Sequence, residues 1–247
     1  MVAQQGFIYE ANTTKFLQKK KLVASGFKPA SSTSDRADLE ITYGGKRINT
    51  ELKITAASAG SLVLKYLIPQ SEWSFGDISK EDKEKKFLSD LATNVGALSA
   101  INKKWNKRPL KTVPPTPGVV VDYAKDHRKF SEINQSIPAS LIEKYYNMKD
   151  TYYLNIGTHG FYLMGNKDPS GLNARLKKAG LSPIPTFGSS ATAKYRARVQ
   201  AKGGGSYQFT FELSFSITNA NKSPYNIAPL KTGSVSIIEK DFVNPFI

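Results

Sequence analysis

The chain of 247 residues contains no cysteine. Disulfides, thiolate metal sites and cysteine nucleophiles are therefore excluded together. Histidine is nearly absent too: His127 and His159 are the only two, and their separation fits no metal-ligand pair. Long apolar runs are missing. The strongest, Gly118-Val119-Val120-Val121, is far too short to span a bilayer. Met1-Val2-Ala3-Gln4-Gln5-Gly6 carries neither the basic start nor the apolar stretch of a secretory signal. These absences lead us to expect a soluble, cytoplasmic protein that is not secreted and does not engage a membrane. Two enzyme signatures are also missing. Gly203-Gly204-Gly205 lacks the Gly-Lys-Ser/Thr ending of a P-loop, and no Gly-x-Ser-x-Gly elbow occurs.

Acidic residues are scarce relative to basic ones. Twenty Asp and Glu stand against thirty-five Lys and Arg, a net charge of +15 at neutral pH. A field of that sign concentrates polyanions, whether nucleic acid, an anionic membrane face or an acidic partner protein. Charge alone does not choose among them, and nucleic acid is the commonest for a globular chain. The hydrophobic share of 40% and the aromatic share of 11% are those of a folded protein with a real core.

The pattern predicts a helix from about Phe7 to Ser25, with Phe7, Ile8, Ala11, Phe16, Leu22 and Val23 as apolar contacts and Gly26 as its C′ residue. A Ser/Thr-rich loop follows at Ser31–Ser34. A hairpin is predicted from Asp38 to Ile54 around Gly44-Gly45. A second long helix is expected from Ser79 to Trp105, capped by Ser79 and Asp82, with Leu88, Leu91, Val95, Leu98, Ile101 and Trp105 at helical spacing. Four prolines within 109–117 suggest an extended connector. Short strands are expected at Tyr152–Ile156 and Gly160–Gly165, a short helix at Leu172–Lys178, and a β-rich stretch beyond.

The Gly44-Gly45 hairpin is the informative element. A two-residue turn places Tyr43 opposite Lys46, and counting back sets Ile41 against Ile48, Leu39 against Thr50 and Asp38 against Glu51. Strand side chains alternate between faces, so Asp38, Glu40, Asn49, Glu51 and Lys53 share one face, and Leu39, Ile41, Ile48, Leu52 and Ile54 the other. Opposed residues have Cβ atoms about 4.5–5.5 Å apart, so Asp38 and Glu51 become adjacent carboxylates. That placement is unfavourable unless a cation sits between them, and hard divalent ions favour such oxygen ligands.

An acid entering one strand, a short hairpin, and Glu51-Leu52-Lys53 on the next resembles the motif of the PD-(D/E)xK nuclease superfamily. That superfamily includes restriction endonucleases, phage exonucleases and Holliday-junction resolvases. Glu51 lies thirteen positions after Asp38. Ala37 stands where the motif's proline would be, Asp35 rivals Asp38 as first acid, and the resemblance does not extend past Lys53. It implies an α/β fold: a restriction-endonuclease-like mixed central sheet flanked by the two long helices, with an additional C-terminal β-hairpin region. It implies one nuclease domain over 1–247, with a catalytic core over about 1–165 and a β-rich extension over about 166–247. It also implies Mg²⁺ (or Mn²⁺) held by Asp38, Glu51, the Leu52 carbonyl and Glu10 of the N-terminal helix. Lys53 would orient or deprotonate the attacking water. The expected reaction is DNA phosphodiester hydrolysis to 5′-phosphate and 3′-hydroxyl ends, endonucleolytic before exonucleolytic, on duplex, branched or single-stranded DNA. Nothing in the resemblance opposes a homodimer, and a phage or bacterial setting would suit it. A glutamate in a first helical turn is favoured by the helix dipole in any protein, which leaves Glu10 a bland explanation as well.

A second pattern lies near the C-terminus. Lys194, Arg196, Arg198, Gln200 and Lys202 alternate with Tyr195, Ala197, Val199 and Ala201. After the glycines, Tyr207, Phe209, Phe211, Leu213, Phe215 and Ile217 alternate with Ser206, Gln208, Thr210, Glu212, Ser214 and Ser216. An aromatic face on a core and a cationic ribbon for phosphate are expected, with Lys194, Arg196, Arg198 and Lys202 as nucleic-acid contacts. The blander reading is a charged, solvated strand guarding a sheet edge. The rival function is accordingly a non-catalytic DNA- or RNA-binding protein that uses the 194–217 hairpin alone.

Overall fold

The computed structural model describes residues 2–29, 37–55, 58–67, 70–106, 119–121, 130–203 and 206–247. The Ser31–Ser34 loop, Asp35, the proline-rich 109–117 segment and His127 lie outside them. The chain forms two compact units that interleave in sequence. Unit 1 takes Met1–Ala57, Pro138–Thr192 and Phe215–Ile247, and unit 2 takes Ser58–Ile137 and Ala193–Ser214. No helix among the described residues is long and apolar enough to cross a membrane.

Unit 1 is built on α1 (Val2–Lys19), β1 (Leu39–Tyr43), β2 (Lys46–Lys53), α4 (Ser140–Met148), β8 (Tyr153–Ile156), β9 (Gly160–Leu163), α5 (Leu172–Lys178) and the short α6 (Phe187–Ser190). Its four strands run in the order β1-β2-β8-β9. The β2–β8 pair is parallel and the other two are antiparallel, so this is the mixed sheet expected of the sequence. A parallel pair needs a crossover connection. Here the crossover is the whole excursion after Lys53 that supplies most of unit 2. The hairpin register is the expected one, from Leu39↔Thr50 through Tyr43↔Lys46. Gly44 and Gly45 hold the left-handed angles (φ 55° and 74°) that the turn requires.

The core of unit 1 joins Tyr9, Phe16 and Leu17 of α1 to Leu39, Ile41, Ile48 and Leu52 of the hairpin and to Tyr153, Phe161, Leu172 and Leu176. Helix α1 starts earlier and ends earlier than its pattern suggests. Lys21 takes φ 59°, and the Leu22 and Lys21 N–H groups donate to the carbonyls of Leu17 and Gln18, at 3.0 Å each. This is a Schellman ending in which Leu17 and Leu22 supply the apolar pair and a lysine fills the position expected of Gly26. Phe7 and Ile8, expected as apolar contacts, are exposed.

Unit 2 contains β3 (Ser58–Val63), β4 (Lys65–Leu67), β5 (Glu72–Ser74), α2 (Lys83–Asn94), α3 (Ala97–Lys104), β6 (Val119–Val121), β7 (Ile133–Ile137) and most of β10 (Ala191–Gly203) and β11 (Ser206–Ile217). Its main sheet is antiparallel, in the order β3-β11-β10-β7, with β6 also paired to β11. The long helix expected from Ser79 to Trp105 is two helices. Gly96 adopts φ 70° between them, which an α-helix cannot accommodate, and Asp82 caps the first by accepting from the Lys85 N–H at 3.0 Å. Both helices belong to unit 2. Four rings of its core pack together. Trp73 lies 4.5 Å from Phe209 and 5.4 Å from Trp105, centroid to centroid, and Phe130 is 4.9 Å from Phe209. The indole N–H groups are satisfied by the carbonyls of Trp105 (2.8 Å) and Ser131 (2.9 Å).

Candidate active site

Four of the residues singled out in the sequence share one electrostatic neighbourhood in unit 1. Asp38 immediately precedes β1, and continuing the observed register by one pair sets it against Glu51 of β2. One carboxylate oxygen, Oδ2, accepts from the Leu52 N–H at 2.9 Å. A strand residue points its N–H and C=O to the same neighbour, so the Leu52 carbonyl also faces the β1 side, beyond the end of that ladder. The Lys53 carbonyl points the other way and accepts from the Gly157 N–H at 2.8 Å. Glu51 is buried, and its Oε1 is paired with the Lys53 ammonium.

Glu10 arrives from α1, whose rotation is fixed by its neighbour in sequence. Tyr9 is fully buried and donates to the Ala228 carbonyl (2.9 Å), while Asn155 of β8 donates to the Tyr9 hydroxyl (3.1 Å) and accepts from the Ile227 N–H (3.2 Å). A satisfied buried network of this kind locks orientation. Because α1 begins at Val2, Glu10 lies in the helix interior. The dipole effect fades beyond the first turn, so the bland explanation of Glu10 does not apply.

Charge in this cluster is poorly balanced. Burial first, then the negative charge of Asp38, pushes the Glu10 carboxyl up to about 7, with Glu51 adding to the rise and Lys53 opposing it. Burial, then Glu51, raises Asp38 to about 6 against the pull of Lys53, the Leu52 N–H and Lys149. For Lys53, burial favours the neutral amine. The charges of Glu51, Asp38 and Glu10, with the Glu51 hydrogen bond, outweigh burial and hold the ammonium above its ordinary range. Every donor here is a hard oxygen, the set that Mg²⁺ and Mn²⁺ favour. Among the described residues no three acidic or imidazole side chains stand close enough together to ligate an ion as placed.

The C-terminal hairpin in unit 2 has the expected apolar face: Tyr195, Ala197, Phe209, Phe211 and Leu213 are all buried. Its cationic face is not an open ribbon. Arg196 makes a fork to Glu132 (Nε–Oε1 3.1 Å, Nη2–Oε2 2.8 Å) and reaches Glu212 Oε1 at 3.3 Å. Arg198 meets Glu212 Oε2 at 2.8 Å. Glu212 is itself 2% exposed. Lys194 is exposed, and the Lys202 side chain lies outside the described residues. Over Ala193–Ala197 β10 guards no edge, because there it lies between β11 and β7.

Two residues near the acids were not singled out from the sequence. Asn49 shares the Glu51 face and donates to the Asp150 carbonyl at 3.2 Å, tying the end of α4 to β2. Lys149, the C-cap of α4, acts on Asp38 by its charge. Strand alternation already placed Asn49 beside Glu51. Lys149 arrives by tertiary packing and leaves no local signal.

No protein-family model matches the chain, and no curated protein matches it. Among solved structures the chain is similar to HhaI endonuclease in complex with DNA, over 85% of this chain and 90% of that one, at 14% identity and a TM-score of 0.37. A likeness that loose carries no argument about this chain. The site is read from its own residues.

Proposed function

We propose that unit 1 hydrolyses phosphodiester bonds of nucleic acid, DNA before RNA, with one or two Mg²⁺ or Mn²⁺ ions. The observation that carries this reading is the placing of Asp38 against Glu51 across the hairpin, with Lys53 paired to Glu51 and Glu10 near enough to feel both acids, in a strongly basic chain. Glu10, Asp38, Glu51 and the Leu52 carbonyl are the residues that would hold the ion. A bound divalent ion would supply an acidified water and charge neutralisation at the phosphate. Asp38, pinned by the Leu52 N–H, keeps its carboxylate fixed as charge develops nearby.

The negative charges of Glu51, Asp38 and Glu10 favour the Lys53 ammonium, which would donate to a phosphate oxygen or orient the attacking water. The motif resemblance adds the restriction-endonuclease-like assignment, the preference for endonucleolytic cuts and the 5′-phosphate products. The ion pairs of Arg196 and Arg198 with Glu132 and Glu212 favour this cluster over the hairpin as the functional centre.

The test is direct. Purified protein is incubated with plasmid, linear duplex, four-way junction, single-stranded DNA and RNA, with Mg²⁺, with Mn²⁺ and with chelator. Divalent-dependent cleavage that disappears in Asp38→Asn and Lys53→Ala is the expected result. No cleavage of any substrate, or cleavage indifferent to both substitutions, rejects the reading. Salt-sensitive binding that ignores divalent ions and Glu51→Gln would instead indicate the non-catalytic hairpin.

A further inference from the structure

We infer that Lys149 is a second phosphate-binding group of this site, contacting a phosphodiester beside the one held at Lys53. The inference rests on the nuclease reading of the acidic cluster and adds a substrate contact that the sequence motif does not include.

Helix α4 ends in a specific, tied-down turn. The Thr151 N–H donates to the Tyr146 carbonyl at 3.0 Å and the Asp150 N–H to the Asn147 carbonyl at 3.1 Å, with Asp150 itself at φ 53°. That is a Schellman ending in which aspartate fills the place glycine would take without strain. The turn is then fastened to the sheet, because Asn49 of β2 donates to the Asp150 carbonyl. Asn49 projects from the same face as Glu51, two positions on. The end of α4 therefore stands over the acidic face. Lys149, one residue before Asp150, is half-buried with its ammonium 5.5 Å from the Tyr145 ring centroid. Its charge is felt at the Asp38 carboxyl.

A lysine at a helix C-terminus is stabilising in any protein, and a ring beneath it adds to that. Those effects explain a cation at the end of α4, and the Thr50↔Tyr153 register of β2 and β8 brings that end beside Asn49. An approaching nucleic-acid strand brings its phosphates close to the acidic side chains of Glu10, Asp38 and Glu51. A second cation anchored there opposes that repulsion at a neighbouring phosphate while Lys53 serves the scissile one. Lysine suits the task as a point charge on a flexible stem.

The experiment reads the salt dependence of DNA binding and the kinetics separately. Full-length wild type, Lys149→Ala, Lys149→Gln and Lys149→Arg are titrated with a fluorescent duplex in chelator between about 50 and 200 mM salt. One lost phosphate contact should lower the slope of log K against log salt by about 0.9 in the Ala and Gln variants, with Arg near wild type. A purely structural role would not move that slope. The thermal midpoint of each variant shows whether it folds, and Gln, which keeps most of the stem, serves where Ala does not. With Mg²⁺ present, KM should rise several-fold in the Ala and Gln variants and kcat change little. An unchanged slope in folded variants overturns the inference and leaves the nuclease reading standing. A reduced slope in a protein that binds but never cleaves overturns the nuclease reading and keeps Lys149 as a phosphate contact. Absence of any DNA binding by the wild type overturns both.

Discussion

Strands β2 and β10 make an instructive pair. Each presents alternating charged side chains on one face and apolar ones on the other. On β10 the charges are answered within unit 2: Arg196 and Arg198 meet Glu132 and Glu212, and the buried glutamate has two guanidinium groups around it. On β2 the answer is incomplete. Glu51 has Lys53, but Asp38 and Glu10 add two further carboxyls, and both hold protons well above their ordinary range. Buried charge that is matched by its neighbours reads as structure. Buried charge of one sign, held together by a hairpin, a helix and a hydrogen-bond network, reads as a place for something cationic.

The contrast can be broken most decisively at β2. Lys53→Ala should lower cleavage at least about 100-fold, the scale of losing one preorganised charge contact at a developing anion, and should lower the thermal midpoint as well, because the buried Glu51 loses its partner. A comparable loss in Arg198→Ala would place the chemistry in the wrong unit. Next in size is Glu212→Ala, which takes the carboxylate from Arg198 and leaves Arg196 with Glu132 alone. It should destabilise by about 2 kcal/mol in denaturant unfolding without altering kcat. An unchanged unfolding midpoint would remove the distinction between the two faces.

Proton binding sharpens the comparison further. Glu10 and Asp38 hold protons more tightly folded than unfolded, so the penalty they impose is absent below pH about 4, grows as pH rises to about 7, and is full above that. With Asp38 at its full shift and the partly exposed Glu10 discounted for solvent screening, chelator-treated protein should lose roughly 3 kcal/mol or more of stability across that window. Mg²⁺ should restore it in proportion to its occupancy. Glu10→Gln should be more stable than wild type at pH 8 in chelator and respond less to Mg²⁺. Stability that rises through the window would contradict the crowding of these acids. The smallest effect is expected on the exposed rim, where Arg47 lies 3.5 Å from Glu40 with 79% of its side chain accessible. Arg47→Ala should change unfolding by no more than about 0.5 kcal/mol.

The part of this site that was legible in the sequence was legible because it is local. Period-two alternation and a Gly-Gly turn fix the register of Leu39–Lys53, and register alone decides which acids face each other. Glu10 needed the motif resemblance, since nothing in residues 2–19 says that Tyr9 will bond Asn155 and Ala228 and so aim its neighbour. Local rules also misplaced two helix boundaries. Gly26 was the expected end of α1, yet an apolar pair and a left-handed lysine closed it earlier, and Gly96 divided a pattern whose spacing continued across it. The pairing of Arg196 with Glu132 spans 64 positions, and the approach of Lys149 depends on α4 and β2 meeting. Glu212 was the readable exception, because alternation already put an acid on the face expected to be cationic.

Both tryptophans of the chain, Trp73 and Trp105, sit in the aromatic core of unit 2. Indole emission is therefore blind to the half of the molecule that carries the acids. A melt followed at the red edge of excitation would report one unit, while far-ultraviolet dichroism would average both. Divalent ions acting at Glu10 and Asp38 should shift the second trace more than the first, and the gap between the two midpoints would measure how far the units unfold together.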